Sequence, residues 1–291
     1  MPVYNPKKQK PRRNKRFLLL ILLIFAGLTT WFYLNNRSEN SPTTPQTDAR
    51  QADEPTEPEA PAYSTINLQP TIDNWVNKQA ATYSIVVHDL QADKIIGKNL
   101  PDKSYFAASL YKLYVAYLAL QDIQNGNMNP NEILSQGFTR KQCIDKMIRE
   151  SYSPCGEAMM ADIGQKTLET RVNTIGITNT TFAGISTTAE DSVMILRLIN
   201  SKKHLNDVNA AFLLDSMRTQ EVKYKRGLQA GAPKATWETK VGWNETYNYH
   251  DVGLMTLPDG RKFAVAILSQ GNGFSAPIAD FSKTIYAVLT R

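Results

Sequence analysis

Apolar and polar positions divide the chain into three regimes. Phe17 to Leu34 is an uncharged, mostly apolar run of 18 residues. Residues 35–65 show no apolar periodicity. From Ile66 onward, helical and strand spacings alternate to the C-terminus. Ile72, Trp75 and Val76 recur at helical spacing and predict a helix over 69–79. Tyr83 to Leu90 and Lys94 to Leu100 read as two strands joined at Gln91-Ala92-Asp93, a hairpin. Ser109 to Gln124 is a long apolar helix, ended by Asn125-Gly126. Further helices are expected at about 139–150, 154–163, 165–175, 188–200 and 206–219. Strands return at 235–241, 248–257 and 261–269, the last two joined at Pro258-Asp259-Gly260. A helix over 276–290 closes the chain.

Strands near both ends and helices between them predict an α+β fold. One antiparallel sheet would be built from both chain ends, with a central helical region, and helices would cover it. No internal repeat is present.

The apolar run reaches roughly 27 Å as a helix, close to a bilayer core. Seven Lys and Arg, and no acid, fill residues 1–16 just before it. The positive-inside bias therefore makes 1–16 a cytoplasmic tail and 17–34 a transmembrane anchor. Trp31 and Tyr33 fall where an outer interfacial belt would lie. The alternative is a cleaved signal peptide. The run is long for one, and no clean A-x-A site follows. Residues 35–65, rich in Pro and acids, read as a solvated linker. The expected folded domain is 66–291, extracytoplasmic on a single-pass membrane protein. Net charge is +6, but the tail supplies most of it and residues 63–291 stay near +3. No basic stripe with interleaved aromatics marks a nucleic-acid partner.

Cys143 and Cys155 are the only cysteines. Outside the cytoplasm such a pair tends to oxidise, and the bridge would add about 3 kcal/mol of stability. Two buried thiols are the alternative. Without nearby histidines the pair makes no metal site. Neither metal nor cofactor is called for.

Ser109-Leu110-Tyr111-Lys112 places a hydroxyl and an amine at i and i+3 of a helix, on one face. A lysine that loses its proton there can activate the serine without a histidine. Sixteen serines and twenty lysines in 291 residues give about one such tetrad by chance. The pair alone is equally a helix cap and a solvated lysine. Two further elements follow in order: Ser151-Tyr152-Ser153 after a helix, and Lys240-Val241-Gly242 at a strand end.

This ordered set resembles the S-x-x-K, S-D-N and K-T-G of class A β-lactamases and penicillin-binding proteins, over roughly residues 66–291. Phe106-Ala107-Ala108, Met147-Ile148 and Thr239 add to the likeness. The resemblance implies roles by position. Ser109 is the acylated nucleophile, and Lys112 its proton acceptor. Ser151 passes a proton to the leaving nitrogen. Lys240 adds positive charge near Ser151 and the substrate carboxylate. Backbone N–H groups of Ser109 and Trp243 form an oxyanion hole, each donor worth roughly 2.7–4 kcal/mol. Ser153 and Gly242 line the substrate site. The implied partner is a β-lactam or a peptidoglycan stem peptide.

The sequence also departs from the pattern. Tyr152 and Ser153 replace Asp and Asn, and a serine lacks the amide N–H₂ donor. Val241 replaces Thr or Ser, removing a hydroxyl. The connection from Gly176 to Thr188 holds no acid, so the deacylating glutamate of the class A loop is missing. Deacylation is expected to be impaired or atypical. Glu169 is expected to be a solvated helix residue, and Thr187-x-x-Glu190 a capping box. His250 and Asp251 are neighbours on a strand and must face opposite sides. His250 is a candidate cation for a substrate carboxylate, beside a plain cross-strand role.

Overall fold

A computed structural model describes residues 66–244 and 247–291. The expected tail, anchor and linker at 1–16, 17–34 and 35–65 lie outside the described residues. Among the described residues no helix is long and apolar enough to cross a membrane.

The first elements are α1 (Gln69–Val76), β1 (Thr82–Asp89), β2 (Lys94–Asn99) and the short β3 (Tyr105–Phe106). Next come α2 (Tyr111–Gln124), β4 (Ile133–Ser135), β5 (Phe138–Thr139), α3 (Arg140–Arg149), α4 (Ser153–Ile163) and α5 (Gln165–Thr174). After β6 (Ser186–Thr187) come α6 (Ala189–Asn200), α7 (Asp207–Arg218) and the short α8 (Leu228–Gly231). The C-terminal part is β7 (Thr236–Asn244), β8 (Asn248–Thr256), β9 (Lys262–Gln270) and α9 (Ala276–Leu289).

The main sheet has the order β2-β1-β9-β8-β7, with all neighbours antiparallel. It is α+β and drawn from both chain ends, as expected. Both faces are covered, so β1 reads as the near-continuous run Ile85-Val86-Val87. Ile85 and Val87 enter one core with Trp75, Val241, Ile267 and Phe281. Val86 enters the other with Val252, Ala266 and the helical region. The period-2 alternation of a strand divides them. In that second core α2 is buried at every residue from Tyr111 to Leu120. A helix apolar all round belongs in an interior.

Three local differences have physical causes. Ser109 lies in a 3-10 turn, Ala108–Leu110, and the α-helix begins only at Tyr111. The strand expected to stop at Val241 runs to Asn244, because pairing with β8 continues to Asn244↔Asn248. The cap of α6 is Thr188, which accepts from Asp191 N–H; the expected box at Thr187 and Glu190 is off by one. Thr187 is instead in β6, and its hydroxyl bonds Tyr114 in the interior.

Candidate active site

The site is assembled where α2, the α3–α4 connection and β7 meet. Ala108, just before Ser109, sits at φ +45°. A left-handed non-glycine residue costs about 1–2 kcal/mol, so neighbours must hold it. Ala107 N–H donates to Ile185 O at 2.7 Å, and His250 Nε2 lies 2.8 Å from Phe106 O. The turn is thus pinned from two sides.

Nζ of Lys112 lies 3.0 Å from Ser109 Oγ, 2.6 Å from Ser151 O and 3.1 Å from Ser153 Oγ. A neutral amine has two N–H bonds and one lone pair. The carbonyl of Ser151 can only accept, and Ser153 Oγ can take the second N–H. The lone pair is then left for the Ser109 hydroxyl. Lys112 is 1% exposed. Burial pulls its pKa down to about 8, opposed by the charge of Glu157.

Ser151 sits at φ +54° in the connection between α3 and α4. Cys143 of α3 and Cys155 of α4 form a disulfide across that connection. The α3 start is fixed by a capping box, Thr139 with Gln142. Nζ of Lys240 is 3.0 Å from Ser151 Oγ and 2.8 Å from Val241 O. It is fully buried and stands 5.7 Å over the Tyr224 ring. Burial, then the charge of Lys112, depress its pKa well below the usual lysine value; Asp251 opposes them.

β7 is an edge strand, and it lies against the Ser109 turn. A Cβ at Gly242 would stand 2.6 Å from Ala107 O and 2.8 Å from Leu110 Cγ. Only glycine allows that approach. Trp243 is half exposed, with its indole N–H bonded to Gly273 O at 3.1 Å.

Ser109, Lys112, Ser151, Ser153, Lys240 and Gly242 therefore converge, with Trp243 next along the strand. His250 is not the candidate cation; it holds the plain structural role that is the other reading. It is fully buried, and Nδ1 accepts Ser269 N–H at 3.0 Å. That leaves Nε2 as the donor to Phe106 O. Burial pulls its pKa down to about 4, so it is neutral and structural. Asp251 faces the other way, bonded to Leu228 N–H at 2.8 Å.

Glu169 is not a solvated helix residue either. Its Oε1 accepts Phe182 N–H at 2.8 Å and Ala183 N–H at 3.3 Å, tying the acid-free connection to α5. Four neighbours were not apparent in the sequence: Tyr111, Gly156, Glu157 and Tyr224. The signal for Glu157 was its i+4 spacing from Ser153. Among the described residues no group of three or more His, Cys, Asp or Glu could hold a metal ion.

Ser109 against Lys112 and Ser151 against Lys240, beside the edge of an antiparallel sheet, make a fold and site of the serine-hydrolase class. The chain belongs to the beta-lactamase enzyme family, whose model matches residues 67–289. No curated protein matches it in sequence. Among solved structures, PBP-A superposes with a TM-score of 0.71 at 19% identity, covering 77% of this chain and 96% of that one. A beta-lactamase from Chitinophaga pinensis DSM 2588 gives 0.70 at 13%, covering 76% and 98%. TLA-3 extended-spectrum beta-lactamase gives 0.70 at 17%, covering 77% and 98%. At such identities the likeness is one of fold.

Proposed function

We propose that the chain is a membrane-anchored, extracytoplasmic serine hydrolase that forms an acyl-enzyme on Ser109. The observation that carries this is the position of Lys112 Nζ, within hydrogen-bond reach of Ser109 Oγ, Ser151 O and Ser153 Oγ at once. Lys112 takes the Ser109 proton as Oγ bonds to the substrate carbonyl carbon. The C–N bond breaks as the nitrogen takes the Ser151 hydroxyl proton. The proton that Lys112 gained then passes to Ser151 Oγ, which restores the Ser151 hydroxyl and leaves the Lys112 amine neutral. Lys240 holds the Ser151 hydroxyl and adds positive charge for a substrate carboxylate. Backbone N–H groups of Ser109 and Trp243 stabilise the developing oxyanion.

The substrate is a β-lactam or the D-alanyl-D-alanine end of a peptidoglycan stem peptide. A point mutant of PBP-A has been captured as an acyl-enzyme complex with penicillin G, which supports the β-lactam for a related fold. Deacylation is atypical, because residues 176–188 hold no carboxylate. Ser153 and Val241, in place of amide and hydroxyl, favour a second reading. In it the chain is a D-alanyl-D-alanine peptidase of penicillin-binding type, or a cell-wall-binding domain without turnover.

Intact-mass measurement of the full chain after incubation with penicillin tests the proposal. A covalent adduct that Ser109→Ala abolishes is the expected result. No adduct with penicillin, a cephalosporin or a D-alanyl-D-alanine peptide would leave only the binding-domain reading.

A further inference from the structure

An acyl-enzyme needs a base to activate the water that releases it, and the connection from Gly176 to Thr188 supplies none. Of the carboxylates bordering that connection, Glu190 lines a separate hollow with His88 and Arg197, and the other two are committed. Glu169 accepts two backbone N–H groups of the loop. Asp191 accepts from Asn179 N–H and the Thr180 hydroxyl. Glu150 pairs with Lys146, and Asp251 is buried on the far side of β8.

Glu157 differs. It lies on α4, four residues after Ser153, so the two share a helix face. Ser153 is already in contact with Lys112. Gly156, just before Glu157, lies against the same lysine. A Cβ there would stand 2.8 Å from Lys112 Cε and 2.9 Å from the Tyr111 hydroxyl. The helix backbone next to Glu157 is thus seated on the catalytic amine. Glu157 itself is exposed. Its charge acts on both Lys112 and Tyr111.

We propose that Glu157 is the general base of deacylation, reaching the acyl-enzyme from α4 rather than from the loop. This rests on the acyl-enzyme reading above. The Glu157 carboxylate takes a proton from water, and the hydroxyl oxygen bonds to the acyl carbon. The C–Oγ bond then breaks. The Lys112 amine takes the proton held by Glu157, and the ammonium so formed gives one to Ser109 Oγ. The acid product leaves, and serine, lysine and carboxylate return to their starting forms. Tyr111, beside them, bounds the water site.

The test compares the wild-type chain with Glu157→Gln. Each is pulsed with penicillin, freed of excess and followed by intact mass. Both acquire the adduct. It decays in the wild type and persists roughly 10²-fold longer or more in the variant, the usual span of a general base. In the same pair without substrate, NMR of the Lys112 amine shows it titrating at lower pH once the nearby charge is gone. A purely structural role for Glu157 would not separate acylation from decay in this way. Equal adduct lifetimes, or an unmoved Lys112 titration, would overturn the inference while leaving the acyl-enzyme intact. A wild-type chain that takes no adduct would remove both.

Discussion

Nζ of Lys240 lies 3.0 Å from Ser151 Oγ, although 89 residues separate them. Lys112 holds the same residue by its carbonyl, at 2.6 Å. One left-handed serine is thereby clamped at its backbone and at its hydroxyl by two different buried lysines. Neither contact is local, so the site exists only when the helical region and β7 are docked.

Removing the first of those amines should stop the chemistry without unfolding the protein. Lys112→Met keeps much of the stem volume and deletes a buried cationic group. Acylation by penicillin should fall by roughly 10²–10⁴. The melting temperature should change little, because relief from burying the amine offsets the hydrogen bond lost at Ser151 O. Rapid-quench mass measurement and thermal melts check the two halves separately.

The acylation rate should rise with pH through about 8, where Lys112 loses its proton. No step should appear near 6.5 from His250, whose pKa is pulled down to about 4. Stability carries the same signature. Lys112 holds its proton less tightly folded than unfolded, so its contribution grows between about pH 8 and the ordinary lysine pKa of 10.5. Acylation rates across pH 6–10 give the first result, and a flat profile would contradict the assignment of Lys112.

Asp251 moves in the opposite direction. Burial raises its pKa to about 8. Folded protein therefore binds its proton more tightly than unfolded, and stability falls as pH rises from about 3.8 towards 8. Asp251→Asn can still accept from Leu228 N–H, and it should flatten that fall. Denaturant midpoints of both proteins at several pH values decide it.

Gly242→Ala should push β7 away from the Ser109 turn. The added carbon would meet backbone at 2.6 Å, and such overpacking costs about 1–3 kcal/mol. Acylation should drop more than tenfold, since the proposed oxyanion donors sit on the two segments forced apart. A variant as reactive as wild type would show that the contact is dispensable.

Opening the disulfide by Cys143→Ser with Cys155→Ser should cost about 3 kcal/mol, given the 12-residue separation. The loss should be accompanied by slower acylation, because the bridge spans the connection that presents Ser151. Chemical denaturation and adduct kinetics on the double variant measure both.

The order of elements, the two-ended sheet and the convergence of Ser109, Lys112, Ser151 and Lys240 were legible in the sequence. Apolar period and motif order each pointed the same way. What escaped it depended on tertiary contacts. The roles of His250 and Glu169 are set by backbone groups distant in sequence, Phe106 and Ser269 for one and Phe182 for the other. Glu157 is an ordinary helix glutamate until Gly156 is seen against Lys112. The two-residue strands β3 and β6 are too short to carry a period.

The sheet order has a consequence for how the chain is made. β1 pairs along its length with β9, from Thr82↔Gln270 to Asp89↔Phe263. The central strand of the sheet is therefore among the last segments to leave the ribosome. At roughly 5–20 residues per second, the early hairpin waits on the order of ten seconds or more for its neighbour. During that interval Ile85, Val86 and Val87 have no inner strand beside them, which marks this stretch as the one a holding chaperone would grip.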